Sequence, residues 1–331
     1  MKFSATKCLV LGLTVALAAC QDTSSPTDQV APPSFAAAKK TPLTGTPTQR
    51  AAQIAAKVNA RLAAAGSKMR LTGATFFTTG RGVPPFRQLR TGVRWTKRDL
   101  TYLIDVSDYP PGANTAAVTT ALVNAYETWD AVPNITLSLT RVPDTHPNPD
   151  VLDAIVTDNA GNCVDIVDTS SPAVLDYNPT TGEFDLDPFA DIVHGGWLSP
   201  AYFEKCLGSA DIIAVTWSFS DGDTNHDNYP DLVYAEQYAN NEFQYVTTGS
   251  QYLDFDGPFD IQSIFVHEDG HALGLGHTGG PNDNQPFKLH PNGRVFDPEA
   301  VMNPFSLGGE KRSLFPLDMA AIRSLYARHN K

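Results

Sequence analysis

Residues 267–277, HEDGHALGLGH, restrict what this chain can fold into more than any other stretch of it. His267 and His271 are four residues apart, just over one helical turn, so a helix here projects both imidazoles from one face, close enough to share a single ion. Glu268 lies beside them, placed to reach a water on that ion without becoming a ligand. Gly274 permits the left-handed backbone that ends a helix and reverses the chain, and the reversal can bring His277 back as a third nitrogen. Three imidazoles with a fourth position open describe a catalytic zinc site rather than a closed structural one. The fold must therefore hold a helix, a sharp stop and a returning loop around one point.

Charge bounds the partners. The 331 residues carry a formal net charge of −12, which argues against a dedicated nucleic-acid binder, since that would need a basic footprint. The charge is unevenly placed. From Gln29 to Arg98 there are thirteen Lys and Arg residues and no acid, whereas Val142 to Phe287 holds twenty-five acids and one base, Lys205. A basic arm and an acidic body share one chain, and the arm is expected to fold back on the body or to lie near anionic lipid.

Residues 1–20 are expected to be a signal segment. Lys2 and Lys7 precede an apolar run from Cys8 to Ala19 that is too short to span a bilayer stably. The run ends Leu17-Ala18-Ala19-Cys20, which resembles the lipobox of bacterial lipoproteins, in which the cysteine carries the lipid; the alternative is an ordinary signal peptide cut at small residues. With Cys8 removed and Cys20 lipidated, Cys163 and Cys206 remain, and in an exported protein they are expected to pair. Closing that loop would contribute about 4 kcal/mol on the chain-entropy model. Residues 21–46, rich in Ser, Thr, Pro and Ala, read as a flexible tether.

Residues 47–90 form the basic arm, whose first part, Pro47 to Ala65, predicts a helix with Ile54, Val58 and Leu62 on one stripe and Gly66 as its stop. A single domain is expected over 91–331, of α+β class. Its strands are predicted at Leu100–Val106, Ile135–Val142, Asp211–Phe219 and Leu232–Glu236. Helices are predicted at Asn114–Trp129, at about Phe259–Leu273 and at Leu317–Ala327. Residues from about 143 to 209 read as a long acidic, loop-rich insertion.

A second metal site is suggested by Asp221 to Asp231, DGDTNHDNYPD. Oxygen-bearing side chains at Asp223, Asn225, Asp227 and Asp231 alternate within a tight loop, which lets several oxygens converge on Ca²⁺. Residues 223–231 resemble the calcium loops of thrombospondin type 3 repeats, with Asn228 where a glycine usually turns the chain; Asn also visits left-handed geometry. The alternative is a solvated acidic turn between two strands.

The zinc motif, together with Met302 in Val301-Met302-Asn303-Pro304, resembles the metzincin clan of metalloproteases and, within it, the matrixins. The likeness extends to Arg94-Trp95, to Tyr102-Leu103-Ile104, to the helix ending Tyr126 to Trp129, and to the closing stretch Pro316-Leu317-Asp318-Met319 through Leu325-Tyr326. It implies a twisted mixed sheet, an active-site helix beneath it and a C-terminal helix, with His267, His271 and His277 holding Zn²⁺ and Met302 in a turn under the metal. It also implies a polypeptide substrate extended along the sheet edge, Glu268 acting as general base, and hydrolysis of peptide bonds. Four departures stand out. Thr278 replaces the usual Ser, about two dozen residues separate His277 from Met302, no cysteine between Cys20 and Cys163 could serve as a cysteine switch, and the stretch Ala190 to Trp197 falls within the insertion. His194 and His226 read as ordinary polar residues rather than ligands of a second zinc. The expectation is a monomeric zinc endopeptidase held to the membrane of a bacterial cell envelope by its lipid, periplasmic or surface-facing, or else secreted. The rival is a calcium-stabilised surface binding protein on the same fold that no longer cleaves.

Overall fold

The computed structural model describes residues 42–64, 66–79, 93–110, 112–144, 152, 156–157, 159–165, 176–178, 183–185, 190–248, 258–277, 300–304 and 309–327. The signal segment, Cys20, most of the tether and Thr278 lie outside them. No helix among the described residues is long and apolar enough to cross a membrane.

In chain order the elements are α1 (Pro47–Ala64), β1 (Arg70–Thr78), β2 (Arg94–Trp95), β3 (Asp99–Ile104), α2 (Thr115–Asp130) and β4 (Ser138–Arg141). Four short strands follow, β5 (Val156–Thr157), β6 (Cys163–Asp165), β7 (Asp176–Asn178) and β8 (Glu183–Asp185), then β9 (Ile192–Leu198). A π-helical turn (Tyr202–Leu207) leads to β10 (Ile212–Ser220), β11 (Asp231–Asn240), β12 (Tyr245–Val246), β13 (Phe259–Asp260), α3 (Ile261–Ala272) and α4 (Pro316–Tyr326). The class is mixed α and β, built on one mixed sheet of seven strands in the order β1-β10-β11-β9-β3-β4, with β2 beside the start of β11. β11, β9, β3 and β4 run parallel to one another, while β10 is antiparallel to both β11 and β1.

Two layers cover the sheet. On one face α2 and α3 pack through Val118, Leu122, Ala125, Trp129, Phe265 and Val266. The α2 stripe follows the predicted period, and Asn114 caps the helix by accepting from the Ala117 amide at 3.1 Å. On the other face α1 buries Ala51, Ile54, Ala55, Val58 and Leu62 against Trp217, Phe219 and the π-helical turn. A disulfide joins Cys163 to Cys206, with Cα atoms 5.0 Å apart, and fixes β6 to that turn. Leu43 N–H donates to the Cys163 carbonyl at 3.1 Å, so the start of α1 is tied to the same place.

Two expectations change. The basic arm is helical only to Ala64; Arg70–Thr78 is a strand of the main sheet, paired with β10 from Arg70–Ser220 to Thr78–Ile212. Thr75, Phe76 and Phe77 are β-formers, but Gly73 and a register shift between Leu71 and Gly73 interrupt the pattern. Helix and strand also fall in the same compact unit as the rest of the described residues, Phe35–Lys331. The stretch read as an insertion contains β9, an interior strand of the sheet between β11 and β3. Every residue of IVHGGWL in β9 is buried, and a parallel strand covered on both faces shows no alternation to read. The predicted strand 135–142 shortens to Ser138–Arg141, Ile135 making only an isolated bridge to Ala327.

Replacing both Cys163 and Cys206 with Ala should lower unfolding free energy by roughly 2–4 kcal/mol. Chemical denaturation measures it, and an unmoved midpoint would show that the link contributes nothing to stability.

Candidate metal centre

Helix α3 carries the site, and its ends are fixed from several directions. At its start Asp260 accepts from the Ser263 amide at 2.9 Å and is itself held by Arg312, whose Nε lies 3.0 Å and Nη2 2.5 Å from the carboxylate. Along its length Trp129 Nε1 donates to the Val266 carbonyl at 2.7 Å. At its end Trp95 Nε1 donates to the Ala272 carbonyl at 2.8 Å and the Tyr326 hydroxyl to the Leu273 carbonyl at 2.8 Å. Those last carbonyls lack partners within the helix, so β2 and α4 complete them.

The stop is where the glycine placed it. Gly274 has φ of +92°, and a Cβ there would strike the Val93 carbonyl oxygen. The Gly274 amide returns to the His271 carbonyl at 2.8 Å and the Leu275 amide to the Gly270 carbonyl at 2.9 Å. Gly270 has a separate reason. It lies against Met302 Sδ and, at 2.8 Å from a would-be Cβ, against Trp129, so a side chain there would push the methionine out from under the helix.

The turn at Gly274 delivers His277. The three Nε2 atoms form a nearly equilateral triangle, 3.0 Å from His267 to His271, 3.2 Å from His267 to His277 and 3.1 Å from His271 to His277. His267 Nδ1 is 2.7 Å from the Val301 carbonyl and His271 Nδ1 is 2.8 Å from the Leu275 carbonyl. A carbonyl only accepts, so each Nδ1 keeps the proton and each Nε2 turns a lone pair to the centre. Burial holds all three imidazoles neutral, lowering His271 to about 4 and His267 and His277 well below the ordinary range. Among the described residues this is the one group of three or more His, Cys, Asp or Glu whose ligand atoms lie within 4.8 Å of one another. Facing lone pairs at such spacing repel, and the donor set suits a cation of roughly 2.0–2.1 Å metal–nitrogen distance, the range for Zn²⁺.

Glu268 is fully buried beside the triangle. Its Oε2 accepts from Thr216 Oγ1 of β10 at 2.5 Å, and Oε1 has no hydrogen-bond partner. Burial raises its carboxyl to about 8, the Thr216 bond pulling the other way. Next to it, Asp269 points into the sheet and accepts from Gln237 Nε2 at 3.0 Å, while Gln237 accepts from the Tyr126 hydroxyl at 3.0 Å. Burial raises Asp269 well above the carboxylate range.

Met302 is fully buried in the turn that also supplies the Val301 carbonyl to His267. That turn depends on Asp318 of α4, which the sequence marks only as a residue of the closing helix. Its carboxylate accepts from the Val301 amide at 2.9 Å, the Met302 amide at 3.2 Å and the Phe315 amide at 3.0 Å. A single acid near a helix start gives no signal in sequence that its partners lie sixteen and seventeen residues upstream.

The acidic loop joins β10 to β11 and closes on itself. Asp231 accepts from the Thr224 amide at 2.8 Å and from Asn225 Nδ2 at 3.0 Å. Asp223 accepts from the Asp227 amide at 3.0 Å and the Asn228 amide at 3.0 Å. Asp227 pairs with Arg94. Asn228 has φ of +73°, the left-handed turn expected of it. The three carboxylates do not converge as the histidine nitrogens do. His194 is buried in β9 against Phe265, its ring centroid 4.3 Å away, and His226 has φ of +58° within the acidic loop.

No protein-family model matches this chain, and no curated protein does.

Because burial raises Glu268 from 4.5 to about 8, the metal-free folded protein keeps a proton that the unfolded chain releases between those values. Stability is therefore lost as pH rises through that window. Glu268→Gln should remove this slope, so thermal melts of metal-free protein should favour the variant at pH 8 and converge near pH 5. Parallel pH profiles for the two proteins would contradict the buried, proton-retaining carboxyl.

Proposed function

We propose that the protein is a zinc-dependent endopeptidase of matrixin type, in the metzincin clan, exported and held to a bacterial cell envelope through lipid on Cys20. The observation that carries this is the triangle of Nε2 atoms, with Nδ1 of His267 and His271 turned outward to backbone carbonyls, beside a buried Glu268 with one free oxygen. Zn²⁺ bound by His267, His271 and His277 would supply a polarised water at neutral pH and a Lewis acid for the scissile carbonyl.

The chain's own residues do the rest. A cation held by the three histidines would favour the ionised form of the neighbouring carboxyl, in which Glu268 offers Oε1 as the general base that takes a proton from the attacking water and passes it to the leaving amine. Thr216 fixes the other oxygen, so the carboxyl cannot swing away from its task. The Val301 and Leu275 carbonyls hold two imidazoles in the tautomer that presents Nε2. Met302 packs beneath the helix, and Asp318 locks the turn that carries it. Asp269 and Gln237 hold α3 against the sheet, so the base and two of the three ligands stand on a fixed helix and only His277 on the turn that follows it.

Calcium in the loop of Asp223, Asn225, Asp227 and Asp231 belongs to the same reading. The support is four oxygen-bearing side chains around one left-handed turn; binding would have to replace hydrogen bonds that now go to backbone amides. Millimolar Ca²⁺ should raise the melting temperature by a few degrees, and Asp223→Ala should abolish that gain. Equal melts with Ca²⁺ and with a chelator would leave the loop a solvated acidic turn.

Glu268→Ala should retain one equivalent of zinc and lose casein hydrolysis by at least about a hundredfold, as expected for a missing general base. Undiminished cleavage by that variant would refute the mechanism. Stoichiometric zinc with no cleavage of any offered protein by the parent chain would favour the binding-protein alternative.

A further inference from the structure

The strand nearest the general base is β10, since Thr216 Oγ1 donates to Glu268. One edge of β10 is taken by β11, and an extended polypeptide reaching Glu268 by strand addition would have to use the other. That edge is filled by β1. Thr75 pairs with Thr216, Phe76 with Val215 and Phe77 with Ala214, the two strands antiparallel, and Thr75 Oγ1 donates to the Thr216 carbonyl at 3.3 Å. On its far side β1 meets the Met302 turn, the Thr78 amide donating to the Pro304 carbonyl at 3.2 Å. Thr78, at the end of β1, is thus bracketed between the sheet and the turn beneath the metal centre. Phe77 lies across His267 with ring centroids 4.1 Å apart and planes at 25°. Phe76 points the other way and packs with the α1 layer. His267, Glu268 and His271 are at most 2% exposed while His277 is half-buried, so in this arrangement the general base and the two helical ligands are shut off from an outside peptide.

We propose that Arg70–Thr78 is a substrate-like strand held in cis in the polypeptide cleft: the site stays silent until this strand leaves, and the peptides it then takes carry a large aromatic side chain where Phe77 now lies. This rests on the endopeptidase reading, and it goes further by naming the occupant, its register and the side chain the cleft selects. Alternation assigns the two aromatic residues different work. Phe76 anchors the strand to α1, and Phe77 fills the position over the first histidine, as the corresponding side chain of a bound peptide would. The basic arm is therefore a cover whose last strand copies what it excludes.

The test uses full-length, zinc-loaded protein carrying Glu268→Ala, so that binding is read without turnover, with and without Phe77→Asp. The probe is a fluorescein-labelled peptide of sequence RLTGATFFTT, followed by anisotropy. A cleft that is open only part of the time weakens apparent affinity by that fraction, so releasing β1 should tighten capture at least about tenfold. The same peptide with aspartate in place of its second phenylalanine should not be captured. Hydrogen exchange should show β1 amides losing protection while β3 and β9 keep theirs. If β3 and β9 also lose protection, Phe77→Ala replaces Phe77→Asp under the same criteria. Fast exchange in β1 with unchanged peptide capture would overturn the proposal. In the Glu268 background, Phe77→Asp should cleave casein at least about tenfold faster than the parent chain. Equal rates would refute silencing while upholding the endopeptidase, and peptide capture with no cleavage would uphold the strand while refuting the endopeptidase.

Discussion

Three imidazole nitrogens lie about 3 Å apart, and on His267 and His271 the lone pairs are fixed toward the same point, an arrangement that is repulsive unless a cation sits among them. Much of the fold can be traced to the cost of holding them there. The Val301 and Leu275 carbonyls decide which nitrogen faces inward on His267 and His271. Val301 is in turn held by Asp318, and Leu275 by the glycine turn, so each ligand rests on a backbone carbonyl that a second group has fixed. Such outer partners orient ligands and raise their basicity. Removing any of them would loosen a nitrogen without touching the triangle itself.

The sheet side of α3 meets the opposite demand, since acids rather than bases are buried there. Glu268 and Asp269 follow one another and both lie at 0% exposure, yet they face different partners. Glu268 has one hydroxyl on one oxygen and nothing on the other, which leaves it reactive. Asp269 is drawn into the chain Gln237 and Tyr126, which ties α3 to β11 and α2 at once. Glu236, one residue from Gln237 on the other face of β11, accepts from the Tyr234 hydroxyl at 2.8 Å and the Tyr238 hydroxyl at 3.1 Å. Polar residues in the middle of a central strand are tolerated because each finds a partner.

Legibility followed the physics of each element. Helix α3 was readable because its ligands repeat at helical spacing and its stop is a glycine that must adopt a positive φ. The α1 and α2 stripes were readable for the same periodic reason. Strand β9 was not, because a strand buried on both faces has no period, and its histidine and paired glycines look like loop. β1 hid behind the basic charge of its neighbours and a mid-strand glycine. β11 runs beyond the predicted Glu236 to Asn240 because the polar residues of that extension find partners distant in sequence, Gln237 the Tyr126 hydroxyl and Asn240 the Ile212 carbonyl. The pairing of Cys163 with Cys206 was deducible by elimination, whereas Asp318 was not, since its role exists only once α4 lies against the Met302 turn. The acidic loop showed its composition and its left-handed Asn228, but convergence of oxygens is a property of geometry that spacing alone did not determine.

The division of charge along the chain also takes on a different meaning. A basic arm facing an acidic body suggests electrostatic docking, and two contacts of that kind lie just beyond the arm, Arg94 with Asp227 and Lys97 with Asp191. Both follow β1 rather than lie within it. Within the arm itself, Arg50 and Lys57 place their charged ends on the carbonyls of Lys205 and Val164. The surface that seals α1 and β1 to the sheet is apolar, from Leu43 through Leu62 to Phe76. Screening by salt weakens exposed charge pairs and leaves such burial intact. The opposite charges can guide the arm to its place over long distances, but leaving that place requires exposing its aliphatic and aromatic face. A cover held in this way is released by a change that removes the apolar contact, by cutting or displacement, rather than by a change in ionic strength.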